Sequence, residues 1–141
     1  MPIRTSEATW QGDLPKGKGS IKVGAGAFEG SYSFESRFEQ GQGTNPEELL
    51  AAAHAGCFSM ALSHLLAQAG HPAESVHTTA KVRLDKAGDG FAVTHIALET
   101  RGRVPGVDEA TFKKHAEEAK TGCPISKALQ SVDMSVTARL E

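Results

Sequence analysis

Two cysteines, Cys57 and Cys123, are separated by nearly half the chain. Cys57 has His54 three positions before it and His64 seven after it, spacings that share one face of a helix. Cys123 lies between a helix-stopping Gly122 and a helix-starting Pro124. Its sulfur is therefore expected near the unpaired N–H groups of a helix N-terminus, which favour the thiolate. Three chemistries are open to this set. A thiolate can attack an O–O bond and become a sulfenic acid, and a second thiol can condense with it to a disulfide that protects against irreversible oxidation. His54, Cys57 and His64 can supply a Cys–His nucleophile for acyl or amide hydrolysis. The same three residues with Cys123 can also hold a metal ion. The last two lack a full signature, for the chain has no C-x-x-C, no H-E-x-x-H and no oxyanion-hole motif. The plainest reading of each cysteine, a small buried hydrophobe and an incidental helix cap, stands beside all three.

The bulk properties narrow the setting. The chain has 141 residues, 39% hydrophobic and 23% charged, with a formal net charge of −2. These values suit one soluble domain, 1–141, and exclude a disordered chain. No Lys/Arg block marks a nucleic-acid or anionic-membrane partner. The opening MPIRTSEATW lacks the apolar core of a signal peptide, and two widely spaced cysteines are not a secreted disulfide framework; both point to the cytoplasm.

The elements that must carry these residues follow from periodicity and punctuation. Residues 3–11 and 19–24 read as strands joined by a turn at Gly12–Gly17, and a third strand is expected over about Ser31–Phe38. In that strand Tyr32, Phe34 and Phe38 share a face with Ser36, while Arg37 points to the polar side. A long helix starts at Asn45-Pro46, with Glu48 placed for a capping box, and runs to about Ala69, where Gly70 and Pro72 end it. From Leu49 to Gly70 it has no Asp, Glu, Lys or Arg. A helix apolar on nearly all sides is expected to be buried on nearly all sides. His54, Ser59, Ser63, His64 and Gln68 make it a poor membrane span. Alternation from Val76 predicts a strand, Ala87–Gly90 a hairpin turn, and 91–104 the returning strand. Asp108 caps a second helix of about 14 residues that ends at Gly122, Pro124 opens a third to about Gln130, and a last strand follows from Val132 to Leu140. The order predicts an α+β fold with a mainly antiparallel sheet. One sheet and two short helices barely cover the long helix, so a second copy of the chain is expected against it.

At this point the motifs become specific. The run Gly43-Thr44-Asn45-Pro46-Glu47-Glu48-Leu49-Leu50, then Ala52-Ala53-His54-Ala55-Gly56-Cys57-Phe58-Ser59-Met60-Ala61-Leu62, and later Gly122-Cys123-Pro124-Ile125-Ser126, resemble the OsmC/Ohr family of organic hydroperoxide peroxidases, the OsmC branch in particular. Trp10-Gln11-Gly12-Asp13 with Gly17-Lys18-Gly19 fits as well, so the likeness covers nearly the whole chain. The resemblance implies an intertwined homodimer with long helices at its centre. It implies Cys57 as the peroxidatic residue, Cys123 as the resolving one, and Glu47 with an arginine that orients and ionises Cys57. In the OsmC branch that arginine sits in a stretch like Ser36-Arg37-Phe38-Glu39, which assigns Arg37. No cofactor or metal is called for. The substrate implied is an organic hydroperoxide, the reductant a lipoyl dithiol on a carrier protein, and the setting oxidative or osmotic stress defence. One geometric consequence is sharp. Glu47 and Cys57 are ten residues apart on one helix, or roughly 15 Å along its axis at 1.5 Å per residue. Glu47 cannot bridge that distance, so it is expected to serve the Cys57 of a second chain, together with Arg37.

Overall fold

The structure, a computed structural model, describes residues 1–141 and consists of two compact units, Met1–Leu49 and Leu50–Glu141.

In the first unit, β1 (Ser6–Gln11), β2 (Lys18–Val23) and β3 (Phe28–Tyr32) form an antiparallel meander in that order. Gly19 is required where β2 passes under aromatic rings. A Cβ there would stand 2.4 Å from Tyr32 and 2.7 Å from Trp10, whose rings pack 5.3 Å apart. The expected strand over Ser31–Phe38 is half wrong. The strand stops at Tyr32, and Phe34–Phe38 is a short helix, α1. The reason is local. Ser33 and Ser36 close a reciprocal capping box, each hydroxyl accepting the other residue's backbone N–H at 3.1 and 2.8 Å. The alternation of Tyr32, Phe34, Ser36 and Phe38 imitates a strand, but Phe34 and Phe38 pack as an i, i+4 pair at 4.9 Å.

The long helix α2 (Pro46–Gln68) begins in this unit and runs without a break into the second. Asn45 caps it by accepting the Glu48 N–H at 2.8 Å. The capping box is only half made, because the Glu48 carboxylate accepts from the Thr44 hydroxyl at 3.0 Å. After Gln68, Gly70 takes a positive φ of 88° and the helix ends.

In the second unit, β4 (Ser75–Ala87) and β5 (Gly90–Arg103) make the expected hairpin. β6 (Asp133–Leu140) joins the other side of β5 in parallel, because α3 (Glu109–Gly122) and α4 (Pro124–Ala128) carry the chain back across the sheet. α3 is capped by Asp108, which accepts the Thr111 N–H at 2.8 Å, and it buries Phe112, Ala116 and Ala119. The core joins these residues to Phe58, Leu62 and Leu66 of α2 and to Ile96 and Leu98 of β5, all fully buried. Phe58→Ala is expected to cost about 3–5 kcal/mol by leaving a cavity in close-packed surroundings. Urea unfolding at fixed protein concentration checks this; an unchanged midpoint would remove Phe58 from the core.

Only one stripe of α2 is buried, His54, Phe58, Leu62 and Leu66, at a spacing of four. The other sides are not covered as their composition predicts: Ala52, Ala53, Gly56 and Met60 are exposed, Met60 at 76%. A single chain of this size has too little other structure to wrap so apolar a helix.

Candidate active site

Arg37 and Glu47 belong to the first unit, and the Ser36 side chain brings them together. Ser36 is buried, and its hydroxyl donates to the Thr44 carbonyl oxygen at 2.7 Å while its own carbonyl accepts from the Asn45 amide at 2.9 Å. These bonds tie α1 to the residues that start α2. Gly43, at φ 101°, lets the connecting loop lie against Ser31, where a Cβ would come within 2.4 Å of the carbonyl oxygen. Arg37 in the last turn of α1 then meets Glu47 in the first turn of α2. One carboxylate oxygen, Oε1, accepts from Arg37 Nε at 3.0 Å and from Nη2 at 2.9 Å. The carboxylate is nearly buried, at 12% exposure. Its second oxygen, Oε2, is buried without a hydrogen-bond partner. The guanidinium also lies 5.3 Å from the Phe38 ring centre, a cation–π contact that further limits its orientation.

The two thiols belong to the second unit. Cys57 is half-buried on α2, and Cys123 is fully buried. Both are free. Cys123 is at once the C-cap of α3 and the N-cap of α4: its N–H donates to the Ala119 carbonyl at 3.1 Å and its sulfur accepts the Ser126 N–H at 3.3 Å. Burial pushes the Cys57 thiol above its ordinary range. The Ile125 N–H, two residues after Cys123 in α4's first turn, pulls it down, and the Cys123 side chain pushes it up by hydrogen bond and charge. The two sulfurs are therefore neighbours in one chain, and the backbone of α4 serves both.

His54 is fully buried on the same helix. Its Nε2 lies 2.7 Å from the Ser126 hydroxyl, and that hydroxyl lies 3.1 Å from the Cys123 sulfur as the acceptor of its S–H. Burial lowers the His54 pKa below the usual imidazole value. Ser126 carries no role in a reading of residue types alone. Its signal is positional: it is three residues after an N-cap, where a backbone N–H returns to the cap side chain. His64 is not part of this group. It is exposed, about two helical turns from Cys57, beside Ser63 and Ala67. His54, Cys57, His64 and Cys123 do not converge as a cluster of three or more metal-ligating side chains.

Comparison with known proteins places the chain in a family. Residues 39–137 match the family described as OsmC-like protein. The chain is 48% identical over 129 residues to Peroxiredoxin OsmC of Escherichia coli K12, covering 91% of this chain and 90% of that protein. It is 36% identical over 100 residues to the organic hydroperoxide resistance protein of Xanthomonas axonopodis pv. citri, covering 69% of this chain and 68% of that one. Among solved structures, the organic hydroperoxide resistance protein OhrB of Bacillus subtilis superposes with a TM-score of 0.72 at 26% identity, over 97% of this chain and 98% of its own. An organic hydroperoxide resistance protein OsmC from Legionella pneumophila gives 0.73 at 24% identity, over 100% and 99%, and shares the fold. By its α+β architecture, its paired thiols and these matches, the chain belongs to the OsmC-like protein family.

Proposed function

We propose that this protein is a two-cysteine thiol peroxidase that reduces organic hydroperoxides to alcohols, acting through the whole chain as one functional domain and as a homodimer. The observation that carries the reading is the pairing of a half-exposed Cys57 with a buried Cys123 beside one helix N-terminus. The Cys57 thiolate attacks the terminal oxygen of ROOH. The O–O bond breaks, RO⁻ leaves and takes a proton to become ROH, and Cys57 becomes a sulfenic acid. Cys123 then bonds to the Cys57 sulfur, and its proton leaves with the hydroxyl as water. Cys57 is the attacker because peroxide must reach the first sulfur, whereas the second needs to reach only its neighbour. Arg37, held by Glu47, supplies the positive charge that the raised thiol needs in order to ionise. The apolar faces of α2 suit the alkyl part of the substrate. A second copy of the chain covers those faces. The relatives' names, peroxiredoxin and organic hydroperoxide resistance protein, support the same reaction class.

The test is to add cumene hydroperoxide to purified, reduced protein and count free thiols. Both thiols are expected to disappear together with formation of cumyl alcohol. Thiols that survive excess peroxide would reject the reading. The intramolecular disulfide would be recycled by a dithiol, and a lipoyl group is the reductant we infer, since a long thin arm enters an apolar pocket that a folded protein face cannot. Steady-state turnover with dihydrolipoamide is expected to exceed turnover with thioredoxin; the reverse order would refute this choice.

A further inference from the structure

Cys123 is the more deeply buried thiol, yet it has more polar neighbours than burial alone would give it. Its sulfur accepts one N–H, from Ser126, and donates its S–H to the hydroxyl of the same residue. A serine hydroxyl has one proton, so when it accepts from Cys123 it can donate only elsewhere. The acceptor within reach is His54 Nε2, at 2.7 Å. All three residues are at least 97% buried, so the line is shielded from competing water: Cys123 and His54 are 0% exposed and Ser126 is 3% exposed. With Ser126 as the donor to Nε2, the neutral imidazole carries its proton on Nδ1, to which no protein group hydrogen-bonds. A buried histidine with one satisfied nitrogen, aimed at the residue that orders the resolving sulfur, needs a reason beyond packing.

We propose that His54 and Ser126 are positioning residues for the resolving step: the line from Cys123 through the Ser126 hydroxyl to His54 fixes the orientation of the Cys123 side chain, so that its sulfur is presented to the sulfenic acid on Cys57 without a search among rotamers. This rests on the peroxidase reading above and adds the order of events within it. In the step itself a Cys123–Cys57 S–S bond forms, the Cys57 S–O bond breaks, and the Cys123 proton joins the departing hydroxyl as water. His54 neither gains nor loses a proton. Its lowered pKa keeps it neutral and therefore able to accept from Ser126. The line ends at Cys123 and so acts on the second thiol, not on the attack by the first.

The experiment separates the two steps. Reduced wild type, Ser126→Ala, His54→Phe and His54→Gln each receive one equivalent of cumene hydroperoxide. The reaction is quenched over time, and mass spectrometry follows sulfenic acid, sulfinic acid and disulfide at Cys57. In Ser126→Ala and His54→Phe the sulfenic acid is expected to live about tenfold longer, as losing one buried hydrogen bond implies, and excess peroxide should drive it to sulfinic acid. His54→Gln, whose amide can reach the position of Nε2, should recover most of the resolving rate although it cannot titrate. That recovery distinguishes orientation from core packing, which both His54 variants disturb. Disulfide formation at the wild-type rate in Ser126→Ala and His54→Phe would overturn the proposal. So would a His54→Gln protein as slow as His54→Phe. A wild-type protein in which Cys57 is not oxidised at all would instead bring down the peroxidase reading on which the proposal stands.

Discussion

Cys57→Ser is expected to abolish hydroperoxide reduction outright, while Cys123→Ser should complete one reduction per chain and then stop. The asymmetry follows from position. Cys57 is the thiol with solvent access, and a serine hydroxyl in its place is far too weakly acidic to attack O–O. Cys123 is sealed behind it, and its contribution begins only after a sulfenic acid exists. Without Cys123 the sulfenic acid has no thiol to condense with, so further peroxide carries it to sulfinic acid, which dithiols do not reverse. Mass spectrometry after one and after ten equivalents of peroxide reads both states. The decisive result is the site of oxidation: a sulfenic acid on Cys123 in the Cys57→Ser protein would reverse the assignment of the two roles. The raised pKa of Cys57 adds a pH signature. With its thiol above the ordinary value in its own unit, the first-turnover rate should climb with pH as the thiolate fraction grows, and the climb should begin at higher pH when Arg37 is replaced.

The second large effect concerns Arg37 and Glu47. Arg37→Ala or Glu47→Ala is expected to lower the peroxidatic rate by about one to two orders of magnitude, the scale of a lost charge-assisted hydrogen bond. Arg37→Lys should not restore it, because Glu47 Oε1 receives two nitrogens of the planar guanidinium, Nε and Nη2, and an ammonium cannot present that fork. The second carboxylate oxygen of Glu47, Oε2, has no hydrogen-bond partner within this chain. α2 is unbroken from Pro46 to Gln68. Glu47 and Cys57 are thus separated by about 15 Å of helix rise, more than a side chain spans. We therefore expect the acid and the arginine to act on the Cys57 of a partner chain. Co-refolding inactive Cys57→Ser with the strongly impaired Glu47→Ala tests this. Each heterodimer would contain one wholly intact site, and random pairing would return roughly a quarter of wild-type specific activity. No recovery, with heterodimers demonstrated, would confine the site to one chain.

Both predictions draw on residues that the chain announces by type and spacing, and the manner in which it does so is physical. Asn45-Pro46 before an uncharged run, Gly122-Cys123-Pro124 between two helices, and the turn Ala87–Gly90 are strong local signals. They depend on backbone chemistry within a few residues, and no distant contact is needed to satisfy them. Hence the long helix, the capping position of Cys123 and the β4–β5 hairpin were all legible in advance. The family likeness rests on the same motifs.

Other features had to wait for tertiary structure. The alternation around Arg37 fits a strand as well as it fits a capped turn of helix; the Ser33–Ser36 capping box closes the helix locally, and Ser36 bonding to Thr44 and Asn45, eight and nine residues away, fixes where that helix sits. That outcome moves Arg37 from the polar side of a strand to the end of α1, where it meets Glu47. The parallel β5–β6 pairing depends on the path of α3 and α4, which no period in β6 reveals. Above all, Ser126 and His54 are 72 positions apart. Neither residue type predicts a partner, and the line from Cys123 to His54 exists only because α4 packs onto α2. Local rules determine which residues can do chemistry here; which sulfur faces water, and which is held on a buried hydrogen-bond line, is decided by packing between distant segments.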